Sequence, residues 1–98
     1  MKSTCLDILA SLKKIKGEVV KEYSVKIIGV FGSVARNEQT GTSDIDLLVE
    51  FSSPVGFVTF MRLENFLSEQ LGNPVDLVTS DSLKPVIRQD VLAEVIYV

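Results

Sequence analysis

Histidine is absent from this 98-residue sequence, and cysteine occurs only once. Without histidine the chain has no imidazole metal ligand and no imidazole base for Ser-His-Asp or Cys-His catalysis, so any metal must be held by oxygen atoms. The single Cys5 excludes a disulfide within the chain and a cysteine-based zinc cluster. A lone cysteine is typical of a buried or half-buried helix residue in a protein of a reducing compartment.

Long apolar runs and an excess of basic residues are also missing. No apolar run approaches the roughly 18 residues of a membrane span, and residues 1–14 alternate polar and apolar where a signal peptide needs a continuous apolar stretch. We therefore expect a cytoplasmic protein with no membrane partner. With 10 Lys and Arg against 13 Asp and Glu, the net charge is -3, whereas nucleic-acid binding needs a basic face. Direct nucleic acid binding is not expected.

The composition is that of an ordinary globular protein, with 46% hydrophobic and 23% charged residues. A chain of this length can build one core, so we expect residues 1–98 to form a single domain. We therefore expect no second catalytic or specificity domain within these residues.

Helix and strand signals alternate along the chain. A short capping box at Thr4 and apolar residues at helical spacing predict a first helix over about 4–23, with a break at Gly17 left open. Strands are predicted over 25–31, 44–51 and 75–79, helices over 57–71 and 84–93, an exposed loop over 37–43 and an edge strand over 94–98. Ser80 or Asp81 is the expected cap of the last helix. The fold class is α/β (α+β), with a small mixed sheet flanked by helices.

A glycine-serine pair stands where the first apolar strand ends. Gly32 allows the backbone to approach a ligand closely, and Ser33 adds a hydroxyl donor, so the turn can cradle a phosphate. An ordinary tight turn can contain the same two residues, so the pair alone does not distinguish a phosphate-binding turn from a plain one.

Two aspartates begin the second predicted strand. Asp44 and Asp46 are two residues apart, so both carboxylates are expected on one face while Ile45 and Leu47 point to the other. Such close like charges repel each other, and a divalent cation such as Mg²⁺ or Mn²⁺ would offset the repulsion. A solvated strand face with no ligand is the alternative.

A third aspartate lies inside the apolar strand 75–79. An unpaired charge between Val75 and Leu77 is costly. If this strand pairs beside the second, Asp76 joins Asp44 and Asp46 in a three-carboxylate metal site. The alternative is an aspartate that faces solvent at the strand end.

Together these residues resemble a known signature. Gly32-Ser33, ten intervening residues and then Asp44-Ile45-Asp46 is similar to the motif of the DNA polymerase beta-like nucleotidyltransferase superfamily. Within it the chain looks most like the MNT family, minimal nucleotidyltransferase antitoxins of HEPN toxins, with Asp76 matching the third family carboxylate. Asn37 departs from the Gly that often follows the Arg, but asparagine tolerates a left-handed backbone.

The resemblance implies transfer of AMP from ATP to a hydroxyl, which in related MNT proteins is a tyrosine of the HEPN ribonuclease partner. It implies that Asp44, Asp46 and Asp76 are catalytic and hold two Mg²⁺ ions, with Mn²⁺ as a possible substitute. It also implies nucleotide binding by Gly32, Ser33, Arg36 and Ser43, although Arg36 could instead pair with an acid such as Glu38.

Two other functions fit the same residues. The chain could neutralise its toxin by masking it, with the motif as a relic. It could also be a small-molecule nucleotidyltransferase subunit whose acceptor domain is supplied by another chain. Intact glycine, serine and aspartate residues favour the catalytic antitoxin.

Overall fold

The computed structural model describes residues 4–38 and 44–98. Helices and strands alternate along these residues, in the order helix, strand, short helix, strand, helix, strand, helix, strand. They are α1 (Cys5–Tyr23), β1 (Val25–Phe31), α2 (Gly32–Ala35), β2 (Ile45–Phe51), α3 (Phe57–Leu71), β3 (Val75–Thr79), α4 (Pro85–Glu94) and β4 (Ile96–Tyr97).

The start of α1 and the end of α3 lie at residues that suit those positions. The Thr4 hydroxyl accepts from the backbone N–H of Asp7 and the Asp7 carboxylate accepts from Thr4, so the predicted capping box is present and α1 follows it. The helix continues through Gly17 without a break. At the carboxyl end of α3, Gly72 has a φ of 72°, the left-handed conformation of a glycine C-cap, as predicted.

The four strands form one mixed sheet in the order β3-β2-β1-β4. β1 is antiparallel to both β2 and β4, whereas β2 and β3 are parallel and joined through α3. The predicted mixed α+β fold with flanking helices is therefore confirmed. Because β1 runs against β2 and β3, its carboxyl end meets the amino ends of those two strands.

The main core lies on one face of the sheet. Ile45, Leu47 and Val49 of β2 are at most 2% exposed, and they alternate with Asp46 and Glu50, which are not buried. This face packs with the buried residues of α1 and α3, which include Ile8, Leu12, Leu63 and Leu67. The alternation leaves Asp46 on the other face.

The carboxyl-terminal region differs from the prediction. Ser80–Ser82 form a 3-10 turn in which the Thr79 hydroxyl accepts from Ser82, so Ser80 and Asp81 do not cap the last helix. Lys84 is extended, with a ψ of 143°, because a residue before proline avoids the helical region, and α4 therefore begins at Pro85. The helix runs to Glu94, and the edge strand is reduced to Ile96–Tyr97.

No helix within the described ranges combines the length and apolar character needed to cross a membrane.

Candidate active site

Three strand ends bring the predicted site residues together. Asp46 is paired with Phe31, the residue before Gly32, across the antiparallel strands. It is paired with Asp76 across the parallel strands. Residues at matched positions of neighbouring strands point to the same face, so the carboxylates of Asp46 and Asp76 leave the sheet side by side.

Gly32 allows the first strand to turn directly against Asp46. Its φ is 75°, a left-handed conformation that side chains rarely adopt. A Cβ added to Gly32 would also overlap Oδ2 of Asp46 and lie 3.1 Å from its Cγ. Backbone conformation and the position of the Asp46 carboxylate both favour glycine here. Ser33 follows in α2, so the Gly32-Ser33 turn lies beside the carboxylate of Asp46.

The aspartate cluster, defined here as Asp44, Asp46 and Asp76, brings three acidic side chains near one another. Asp44 lies just before β2 and not in it, and both Asp44 and Asp76 are exposed, whereas Asp46 is half-buried. Burial raises the pKa of Asp46 above its ordinary value, and repulsion from Asp76 and Asp44 raises it further. A nearby positive charge would relieve all three effects.

The donor atoms of the cluster suit a hard cation. Carboxylate oxygens are the ligands that Mg²⁺ and Mn²⁺ prefer. As placed, the side chains of the described ranges include no group of three or more His, Cys, Asp or Glu that could close around a metal ion. Mg²⁺ is usually held by one or two carboxylates plus water and substrate phosphate, so the three-carboxylate site stays a prediction.

Glu94 is a site residue that the sequence did not reveal. Its Oε1 accepts a hydrogen bond of 2.9 Å from the backbone N–H of Gly32, and its Oε2 lies 2.9 Å from Nη1 of Arg36. Burial disfavours the charge on Glu94, but the hydrogen bonds from Gly32 and Arg36 outweigh it and lower the pKa. An acid before an apolar strand is common, so nothing in the sequence singled out this residue.

Arg36 lies between two carboxylates. Besides Glu94, its Nε is 3.3 Å from Oε1 of Glu38, the loop acid that the sequence suggested as a partner. The positive charge of Arg36 also lowers the pKa of Asp46, which burial and the other two aspartates raise. The contact of Arg36 with a triphosphate stays a prediction. The structure shows the ion pair with Glu38 that the sequence suggested and a second ion pair with Glu94.

Asn37 has a φ of 57°, which confirms that asparagine adopts the left-handed conformation expected where related sequences have glycine. Ser43, predicted to bind nucleotide, lies outside the described residues.

Two surface grooves lie at the opposite end of the sheet from these residues. One, of about 460 Å³, is lined by the ends of β2 and β3 and the turns that follow them. The other, of about 330 Å³, is more apolar and includes Phe51, Phe57 and Phe60. Neither contains a residue of the aspartate cluster.

Comparison with known proteins assigns the family. The nucleotidyltransferase domain family matches residues 12–98, which include the Gly32-Ser33 turn and the whole aspartate cluster. The chain belongs to the nucleotidyltransferase family. This nucleotidyltransferase is 42% identical to protein adenylyltransferase MntA of Thermococcus cleftensis, over 97% of its own length and 96% of that relative.

Solved structures agree with the assignment. A chain described as a minimal nucleotidyltransferase superposes with a TM-score of 0.82 at 33% identity, covering 95% of this chain and 94% of the other. A chain of a toxin-antitoxin complex solved with AMP-PNP superposes with a TM-score of 0.71 at 27% identity, covering 89% and 70%. The resemblance to the MNT type that the sequence indicated is confirmed.

Proposed function

We propose that this nucleotidyltransferase is an antitoxin that transfers AMP from ATP to a hydroxyl of its cognate HEPN ribonuclease toxin and thereby neutralises it. The observation that carries the proposal is the register of β2 and β3, which aligns Asp46 with Asp76 next to Gly32. The similarity to a named protein adenylyltransferase supports AMP transfer to protein.

The groups of the site have distinct roles in the proposed reaction, and Asp76 has two, as proton acceptor and as metal ligand. The Gly32-Ser33 turn binds the β- and γ-phosphates, as a close backbone turn with a hydroxyl can. The oxygen of the acceptor hydroxyl, a tyrosine by resemblance, forms a bond to the α-phosphorus of ATP. The bond from that phosphorus to the bridging oxygen breaks, and pyrophosphate leaves. Asp76, exposed at the start of β3, accepts the proton of the hydroxyl.

Asp44, Asp46 and Asp76 are the proposed ligands of Mg²⁺, two ions in the full site, with Mn²⁺ as a substitute. When bound, such ions neutralise charge on the entering and leaving oxygens. The negative charges of the three aspartates fit this role. Burial and the charges of Asp76 and Asp44 raise the pKa of Asp46, and a bound cation would offset that rise.

A protein partner accords with the surface of the chain. Phe57 is 77% exposed at the start of α3, and Val86 is 81% exposed at the start of α4. Exposed apolar side chains of this size favour burial against another protein. The net charge of -3 favours a basic partner, which a ribonuclease that binds RNA would be.

The test removes charge while keeping shape. In Asp44→Asn with Asp46→Asn, two proposed metal-ligand charges disappear but the side-chain volumes hardly change. Loss of about 4 kcal/mol of transition-state stabilisation is roughly a thousandfold in rate. We expect AMP transfer, measured with labelled ATP, Mg²⁺ and the co-purified partner by mass spectrometry of both chains, to become undetectable while the partner still binds.

A matched control separates charge at the site from charge elsewhere. Asp81→Asn with Asp90→Asn also removes two charges, from exposed positions outside the cluster, and should leave transfer unchanged. If the folded Asp44→Asn, Asp46→Asn variant still protects cells from the toxin, the chain neutralises by masking and the catalytic proposal is wrong. Labelling of a small molecule and not of the partner would instead identify a small-molecule nucleotidyltransferase.

A further inference from the structure

One carboxylate bridges two parts of the nucleotide site. Glu94 accepts from the backbone N–H of Gly32 with one oxygen and from Arg36 with the other, both at 2.9 Å. Gly32 and Arg36 are the first and last residues of a single turn, in which the N–H of Arg36 donates to the carbonyl of Gly32. Glu94 therefore holds that turn at both ends from a helix 58 residues farther along the chain.

The position of Glu94 is itself fixed by close packing. It is the last residue of α4, and the next residues lie directly on β1, where Ile96 and Tyr97 pair with Val30 and Gly29. The fit is tight, because a Cβ at Gly29 would lie 2.7 Å from the Val95 side chain and 2.9 Å from the Ile96 carbonyl. The bridge is thus anchored to the same strand that ends at Gly32.

Charge strengthens the bridge. The guanidinium of Arg36 is held between two carboxylates, 2.9 Å from Oε2 of Glu94 and 3.3 Å from Oε1 of Glu38. Hydrogen bonds to ionised groups are stronger and more directional than neutral ones. A group held in this way does not have to be ordered when a ligand binds, which reduces the entropy cost of binding.

We propose that Glu94 is a positioning residue of this nucleotidyltransferase, which holds the Gly32 turn and Arg36 in place for the nucleotide phosphates. This inference rests on the proposed function and extends it to a residue outside the glycine-serine and aspartate motif. Glu94 acts through Gly32 and Arg36 and does not itself contact the substrate.

The experiment compares Glu94→Ala, Glu94→Gln and Asp90→Asn. The glutamine keeps an acceptor for the Gly32 N–H but loses the charge that pairs with Arg36, and Asp90→Asn removes the same charge from an exposed position one turn earlier on α4. Binding of AMP-PNP with Mg²⁺ is measured by calorimetry, and kcat and KM are measured for transfer to the partner. Unfolding curves identify the temperature at which every variant is folded.

Loss of charge-assisted hydrogen bonds to a phosphate-binding turn predicts about tenfold weaker binding in Glu94→Ala, a smaller loss in Glu94→Gln and none in Asp90→Asn. KM for ATP should rise more than kcat falls. Arg36→Ala combined with Glu94→Ala should lose less than the product of the two single effects, because both break one unit. If Glu94→Ala does not fold, Glu94→Gln with its own Arg36→Ala combination decides the question.

Other results would overturn the inference. Unchanged binding and KM in folded Glu94 variants, with only a lower melting temperature, would make the bridge structural. Tighter binding in Glu94→Ala would make the carboxylate a competitor of phosphate at the Gly32 N–H. If the parent chain itself neither binds AMP-PNP nor transfers AMP, the proposed function fails first, and this inference fails with it.

Discussion

Replacing Gly32 by alanine separates the two reasons for glycine at this position. Gly32 has a φ of 75°, and the left-handed conformation costs an L-residue with a Cβ about 1–2 kcal/mol. In a domain of this size, this cost lowers the melting temperature by roughly 4–16 °C. The added Cβ would also overlap Oδ2 of Asp46, so the carboxylate must move.

Gly72→Ala is a matched control for the conformational cost. Gly72 has nearly the same φ, 72°, but apart from its own chain neighbours no heavy atom of the described residues lies within 4 Å of its added Cβ. Both variants should therefore lose about 1–2 kcal/mol of unfolding free energy, with Gly32→Ala losing at least as much as Gly72→Ala. Urea unfolding followed by circular dichroism measures the difference between them.

Activity should distinguish the two variants far more strongly than stability. A misplacement of about 1 Å in a catalytic group can cost roughly a hundredfold in rate, so transfer by Gly32→Ala should fall at least that far. Gly72→Ala, at the carboxyl end of α3 and outside the glycine-serine and aspartate motif, should keep the rate of the parent below its melting temperature. Parent-like transfer by folded Gly32→Ala, or a smaller stability loss than in Gly72→Ala, would refute the close approach of Gly32 to Asp46.

Two further predictions concern charge and packing. Asp46→Asn should make the metal-free protein as stable as the parent or more so at neutral pH, because the ionised form of a group with a raised pKa disfavours folding. This gain should shrink as the pH falls through the raised pKa and the parent's Asp46 is protonated, whereas a constant difference in unfolding free energy would contradict it. Gly29→Ala should detach the edge strand and destabilise the fold, since its Cβ would lie 2.7 Å from Val95. Gly17→Ala, in the middle of α1 with open space around its Cβ, should instead stabilise by about 1 kcal/mol, and equal melting temperatures would contradict both expectations.

The aspartate motif shows how far local pattern reaches. Alternation of apolar and polar residues in β2 is sufficient to place Asp46 on the face opposite Ile45 and Leu47, since side chains of a strand alternate between faces. The same argument placed Asp44 on the strand, but the strand begins one residue later, at Ile45. The ends of helices and strands are the parts that local patterns define least well. Whether Asp76 joined them depended on which strands are neighbours, and the sequence left that open.

The sequence predictions that the structure contradicts lie mostly in the carboxyl-terminal part of the chain. Ser80 and Asp81 are good caps in isolation, but the hydroxyl of Thr79 and the backbone restriction before Pro85 produced a 3-10 turn and a later helix. Glu94 was assigned to a strand, because its role depends on contacts with Gly32 and Arg36, about 60 residues away, that no local pattern records.

By itself the sequence determined most of the helices and strands and the buried faces of the sheet, and it predicted which residues would bind phosphate and metal. Spacing along the chain was sufficient there, because helix and strand periodicity and backbone preferences are local properties. Only the tertiary structure decided that β3 lies parallel to β2 with Asp76 beside Asp46, and that Glu94 joins the Gly32 turn to Arg36. Strand order and contacts between distant residues depend on how whole faces pack, so they were fixed only when the chain was folded.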